Sequence, residues 1–202
     1  MSDSRHKLVL ASHNQGKIDE IKALVADLPL QIVEASSYNL VEPEEYGETF
    51  FDNAKIKAIS AMRVTGMPAL ADDSGLCVEA LDGQPGIYTA RWTLTAEGKK
   101  CSQHGIKTLL EKISHKTNRK AKFICVLAYA VPGEDVKFFA GEVQGHIAHQ
   151  AMGGDGFGYD PIFCPDGYDI SFAQMPGQEK QKISHRAQAL QKFKKYLHNV
   201  YA

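Results

Sequence analysis

Two rhythms of apolar residues run along this chain. Short, mostly apolar runs at 7–11, 31–35 and 67–71, and a longer one at 121–131, predict buried strands. Between them, apolar residues recur at helical spacing. Ile18, Ile21, Val25 and Leu28 form one stripe, ended by Pro29. Phe50, Ala54, Ala58 and Ala61 mark a second helix over Glu48–Thr65, closed by Gly66 and Pro68. Ile106, Leu109, Leu110 and Ile113 predict a short third helix. Ile183, Ala187, Leu190, Phe193, Leu197 and Val200 predict a last one, with Ser184 as its cap. Leu76–Leu81 reads as extended and Asp82–Gly86 as a turn. The Pro132–Asp135 turn makes 121–131 and Val136–Ile147 a hairpin. Strands alternating with helices predict an α/β fold, a long mixed twisted sheet with helices packed on it.

Composition narrows the class without identifying it. The 202 residues, 44% apolar and 23% charged, suit one globular domain, 1–202, with room for two lobes. A formal net charge of −1 offers no bulk attraction for nucleic acid or a membrane surface. No run of about 18 apolar residues and no signal-like N-terminus is present, so a soluble cytoplasmic protein is expected. The four cysteines lack CxxC spacing, which points to reduced thiols over zinc ligands or disulfides. His146 and His149, three apart in an extended segment, face opposite sides and read as non-ligands.

The candidate chemistry gathers in a few polar stretches. Leu70-Ala71-Asp72-Asp73-Ser74-Gly75-Leu76 delivers two carboxylates, a hydroxyl and a glycine at the expected end of a strand. Alternation there gives Asp72 and Asp73 different faces and different tasks. An ordinary strand-end turn has the same composition. Ser12-His13-Asn14-Gln15-Gly16-Lys17 lies between a strand and a helix, where free N–H groups and the macrodipole suit phosphate. A capped helix start with a solvated lysine reads equally well there. The loop lacks the GxxxxGK[ST] pattern of a Walker loop. The run through Glu42, Glu44 and Glu45 is a solvated face, or a source of carboxylate for a cation. In the Gly153–Pro161 stretch, glycines flank Phe157 and Tyr159, and Pro161 restrains Asp160 to an extended backbone. Such a loop fits a flat ligand, or tucks its aromatics into the core. His185 and Arg186 at a helix start oppose the macrodipole, which an electron-rich ligand or nearby acids would explain.

Five ordered blocks, LASHNQGK (10–17), GETFFDNAKIKA (47–58), ALADDSGLCVEALDGQPGIYTARW (69–92), GDGFGYDPIF (154–163) and EKQKISHRAQAL (179–190), resemble the inosine triphosphate pyrophosphatase family. Its members hydrolyse deaminated purine nucleoside triphosphates such as ITP, dITP and XTP to the monophosphate and pyrophosphate. The resemblance implies an elongated sheet, two lobes around a central nucleotide cleft, and a homodimer. It implies that the loop Ser12-His13-Asn14-Gln15-Gly16-Lys17 binds the triphosphate, with Lys57 reaching in from the second helix. His13 stands where the family usually carries glycine. Asp73 would be the catalytic carboxylate and, with Glu44, a ligand of Mg2+. Ser74 would touch substrate. Phe157, with Gly158 and Tyr159, would stack on the base, and Asp160, Lys180, His185 and Arg186 would surround its edge. Donors towards O6 would favour a 6-oxo purine over adenine. A non-catalytic nucleotide-binding or sensing protein on the same scaffold is the competing reading. The intact acids Asp72, Asp73 and Glu44 oppose it, since a pure binder gains little from carboxylates beside a triphosphate.

Overall fold

The computed structural model describes residues 6–201. In chain order it runs β1 (His6–Leu10), α1 (Gln15–Leu24), β2 (Leu30–Glu34), α2 (Phe50–Thr65), β3 (Ala69–Val78), α3 (Ser102–Lys112), β4 (Lys120–Ala130), β5 (Lys137–Ile147), β6 (Phe163–Pro165), α4 (Gly177–Ile183) and α5 (His185–Tyr201). The strands form one six-stranded sheet in the order β2-β1-β3-β4-β5-β6. β1 pairs parallel with β2 and β3, whereas β5 and β6 are antiparallel, so the sheet is mixed as expected. The parallel pairs follow from the helical crossovers between β1, β2 and β3.

Local chemistry sets the element ends. Thr49 caps α2 in a reciprocal capping box with Asp52, so the helix starts at Phe50. Gly66 closes it in the left-handed region, at φ 67°. Asn14 caps α1, its side chain accepting from the Lys17 N–H at 3.3 Å.

The chain divides into two compact units. The first takes the chain up to Asp73, Cys125–Gly141, and the chain from Arg186 onward. The second takes Ser74–Ile124 and Glu142–His185. In the first unit, Leu8, Leu10, Ile18, Ile21, Leu70 and Leu127 pack with Leu190, Phe193 and Leu197 of α5. In the second, Leu76, Val78, Ile106, Leu109, Phe123 and Ile147 pack with Tyr159, Phe163 and Phe172. Each unit therefore buries an apolar core of its own, consistent with two lobes in one chain.

Three expectations change. The acidic stretch lies inside a ten-residue strand and is no strand end. β3 is flanked by β1 and β4, so its backbone stays extended through Gly75 and ends at Val78, before a 3₁₀ turn over Glu79–Leu81. The last helix begins after Ser184 as expected, but Ile183 of its predicted stripe ends the separate helix α4, because Ser184 is extended, φ −63° and ψ 154°. Val200 is 52% exposed, outside the buried stripe of α5.

Candidate active site

Every element of the first unit that carries a predicted phosphate or acid residue supplies a charged partner to another. β3 buries Asp72 and Asp73 together in the chain but on opposite faces. Lys17, in the first turn of α1, donates to Asp72 Oδ2 at 2.8 Å. Arg186, at the start of α5, lies 3.7 Å from the same oxygen and also pairs with Glu20 of α1. Burial alone would raise the Asp72 carboxyl, but the Lys17, Arg186 and Lys57 charges outweigh it and hold it well below the usual carboxylate range. Burial would lower the Arg186 guanidinium, and Glu20 and Asp72 outweigh it and raise it above its usual value.

Asp73 has a different environment. Lys57 of α2 donates to its Oδ1 at 3.0 Å and to Glu45 Oε1 at 2.8 Å. Asp73 Oδ2 is buried without a hydrogen-bond partner. Burial pushes this carboxyl up, Lys57 and Lys17 oppose the shift, and Glu45 adds to it. Burial would lower the Lys57 ammonium, yet Asp73, Asp72 and Glu45 raise it above its usual value. Lys57 therefore remains charged and fixes one Asp73 oxygen while leaving the other available.

The loop before α1 is built for close contact. Asn14 N–H donates to Ser12 Oγ at 3.3 Å, and His13 Nε2 donates to the Leu40 carbonyl at 2.8 Å. His13 thereby ties this loop to the segment that carries the acids. Gln15 is engaged with Asp19 of its own helix at 2.7 Å. Gly47 N–H donates at 2.9 Å to Asn53 Oδ1, which is itself buried, and this fastens the acidic segment to α2. A Cβ at Gly47 would lie 2.5 Å from the Asp52 Cβ, so the approach requires glycine. Glu44 is exposed, and its neighbour Glu45 reaches Lys57.

The second unit holds the glycine-aromatic stretch. Asp160 is 4% exposed, and its Oδ2 accepts from the Phe157 N–H and from Lys180 Nζ, both at 2.8 Å. Lys180 Nζ also lies 5.0 Å from the Phe157 ring centre and 5.6 Å from that of Phe172. Gly156, at φ 80°, brings its backbone so close that a Cβ would sit 2.3 Å from Asp160 Oδ2. Gly158 is also left-handed, at φ 62°. Tyr159 is buried in the core, its hydroxyl donating to the Thr89 carbonyl at 3.4 Å, and burial raises its phenol. His185 stacks on Phe123 with centroids 4.8 Å apart and 11° between the planes. Ser74 is half-buried on β3.

The structure thus assembles Lys17, Lys57, Asp72, Asp73 and Arg186 in one unit, and Phe157, Asp160 and Lys180 in the other. The Arg186 guanidinium, expected at the edge of the base, pairs within its own unit with Glu20 and lies near Asp72. Glu45, Glu20 and Asn53 carry contacts that the sequence reading did not assign. Thr49-x-x-Asp52 was a legible capping signal, whereas nothing in the sequence separates Glu45 from Glu44.

Among the described residues, no three His, Cys, Asp or Glu side chains form a closed metal cluster. Magnesium does not require one, since it keeps several waters and takes one or two carboxylates together with phosphate oxygens. A buried carboxylate oxygen without a partner, with a further acid on the same lysine, is a donor set of that kind.

A family model described as the Ham1 family matches residues 8–196. The chain is 46% identical over 190 residues to the dITP/XTP pyrophosphatase of Ruegeria pomeroyi, covering 93% of each chain. It is 44% identical to that of Bartonella quintana, covering 91% of each. Among solved structures, a HAM1 protein from Coxiella burnetii superposes with a TM-score of 0.87 at 37% identity, over 96% of this chain and 99% of that one. The Ham1 protein of Staphylococcus aureus gives 0.85 at 38%, over 96% and 98%.

Proposed function

The chain belongs to the Ham1 family, and from that premise we propose that it hydrolyses the deaminated purine nucleoside triphosphates dITP, XTP and ITP to monophosphate and pyrophosphate, with Mg2+ as cofactor. The observation that carries the reading is Asp73: buried, held at one oxygen by Lys57, and unsatisfied at the other. In a protein interior such an atom costs free energy unless a ligand, ion or water uses it.

The first unit supplies the triphosphate chemistry. Ser12, Asn14 and the N–H groups opening α1 bind phosphate oxygens, and Lys17 and Lys57 neutralise charge. Asp73 holds and deprotonates the attacking water, a task suited to a carboxyl raised by burial. Asp73 Oδ2 and the Glu44 carboxylate would hold the metal. When bound, magnesium supplies charge neutralisation and orientation of the phosphate oxygens.

The second unit supplies base selection. Phe157 offers a stacking face, and Gly158 leaves its approach open. Lys180 carries only donors. A 6-oxo purine accepts from it, whereas the 6-amino group of adenine presents another donor. Asp160 keeps Lys180 in place. His185 and Ser74 complete the contacts expected from the family.

A cytoplasmic protein is supported by four free cysteines. No described helix is long and apolar enough to cross a membrane. A homodimer is the proposed assembly, supported by the exposed pair Phe51 and Phe138, whose ring centres are 5.5 Å apart.

The test follows pyrophosphate release from ITP, XTP, GTP and ATP with and without Mg2+. Fast turnover of ITP and XTP, slow turnover of ATP and loss of activity without Mg2+ are expected. Equal rates on all four nucleotides would remove the proposed selectivity, and no release from any would remove the activity.

A further inference from the structure

We propose that Asn53 is a positioning residue for the metal site: by accepting from the Gly47 N–H it seats the acidic segment on α2, so that Glu44 and Asp73 are held ready for a divalent cation before it arrives. The inference rests on the function proposed above.

The segment from Leu40 to Gly47, in the first unit, forms neither helix nor strand. Its order comes from three side chains outside it. His13 Nε2 donates to the Leu40 carbonyl at 2.8 Å, Lys57 Nζ donates to Glu45 Oε1 at 2.8 Å, and Asn53 Oδ1 accepts from the Gly47 N–H at 2.9 Å. Asn53 and Lys57 lie one helical turn apart on α2, on the same face, and both are buried. Glu45 and Gly47 are half-buried, while Glu44, Tyr46 and Glu48 are exposed. The two strips match, Gly47 on Asn53 and Glu45 on Lys57. Lys57 also donates to Asp73 Oδ1 at 3.0 Å, so α2 is a common support for the segment and for the acid on β3.

Helix stability alone is a poor reason for this asparagine. Asparagine is a weak helix former, and burying its amide costs free energy unless hydrogen bonds replace water. The buried apolar positions of α2 are Ala54, Ala58 and Ala61, so alanine at 53 would suit the helix better. What asparagine adds is one bond to the acidic segment, and the register that bond fixes. Gly47 completes the fit. A Cβ there would lie 2.5 Å from Asp52 Cβ and 2.6 Å from Asn53 Oδ1, so a larger residue lifts the segment from α2. Ligands carried on an irregular segment bind more weakly by the cost of ordering that segment. Fixing the segment in advance removes the cost, as groups behind a metal's ligands do when they orient them. Lys57 does not suffice for this, because its flexible stem follows Glu45 through several positions.

Mn2+ alone is the probe, titrated into the whole, nucleotide-free chain and followed by electron paramagnetic resonance. Asn53→Ala and Gly47→Ala are the variants, with circular dichroism and thermal melting as checks of folding. Each should weaken Mn2+ about tenfold, the lower end of the range for groups that orient metal ligands. Amide exchange over residues 40–48 should accelerate in both variants with no metal present. The Mg2+ concentration for half-maximal ITP hydrolysis should rise by a similar factor, with kcat at saturating Mg2+ within about twofold. The double variant should bind Mn2+ no more weakly than either single one, because both remove the same contact. Asn53→Asp, which keeps an acceptor for the Gly47 N–H, should restore part of the slow exchange.

Parent-like Mn2+ affinity in folded Asn53→Ala overturns the inference. So does a lower melting temperature with no shift in the Mg2+ midpoint, which would mark a purely structural residue. Additive losses in the double variant also overturn it, since Asn53 and Gly47 would then act separately. A parent chain that binds no Mn2+ without nucleotide removes the preformed site. If the parent binds Mn2+, the variants lose it, and no nucleotide yields pyrophosphate, the role of Asn53 stands and the proposed activity falls.

Discussion

Asp72 and Asp73 share a peptide bond and hold different lysines, Lys17 at 2.8 Å and Lys57 at 3.0 Å. Strand alternation sends them to opposite faces of β3. Their surroundings then drive their proton affinities apart. Two cations gather at Asp72 and keep it ionised; burial dominates at Asp73 and raises it. Two titratable neighbours pushed in opposite directions are a recurring mark of divided roles in an active site.

Substitution separates those roles. Asp73→Asn should lower kcat by about 10²–10⁴-fold, the range for a lost general base, with nucleotide binding retained. Asp72→Asn should destabilise the fold by about 3 kcal/mol at neutral pH, because it leaves Arg186 buried with its charge poorly compensated. Asp73→Asn should cost much less, since the folded state already disfavours that charge. Urea unfolding and single-turnover kinetics of both variants test the contrast.

Acid should unfold the protein partly through Asp72. Its folded pKa lies below the ordinary aspartate value of 3.8, so its contribution to stability is complete above about pH 4. The contribution is lost as pH falls below that value towards the folded pKa. Asp73 has the opposite sign, because a raised carboxyl favours the fold more at low pH than at high. Unfolding free energy measured from pH 7 to pH 2 should therefore decline less steeply in Asp72→Asn than in the parent.

Gly156→Ala should reproduce the loss of Asp160. The added Cβ meets Asp160 Oδ2 at 2.3 Å, on a backbone at φ 80° that alanine resists. The Asp160 contacts to Phe157 N–H and Lys180 would then break together. KM for ITP should rise about tenfold, close to the effect of Asp160→Asn, while tripolyphosphate affinity stays within about twofold. A change confined to tripolyphosphate would contradict the assignment of this stretch to the base.

His13→Gly removes the 2.8 Å bond to the Leu40 carbonyl. An exposed hydrogen bond of this kind contributes about 1 kcal/mol, so the global fold should be little affected. Amide exchange over residues 36–48 should accelerate, since that segment loses its tie to the loop before α1. His13→Gln, which keeps a donor, should restore part of the protection.

Much of this protein follows from local chemistry. The Ile18, Ile21, Val25 and Leu28 stripe, the apolar run of β4 and the capped start of α1 act through neighbours in the chain, so their elements were readable without a fold. The different faces of Asp72 and Asp73 were also readable, because strand alternation is local. What the residues touch was decided in three dimensions. β3 continues through Gly75 because strands distant in sequence flank it. Glu45 and not Glu44 reaches Lys57 because the backbone between Leu40 and Gly47 is held by His13 and Asn53. Arg186 turns to Glu20, 166 positions away in the chain, because α5 packs where α1 and β3 present acids. Pattern determines which residues are buried and which can carry charge; only packing across long chain separations determines which charges meet, and here those meetings give two adjacent aspartates different lysines.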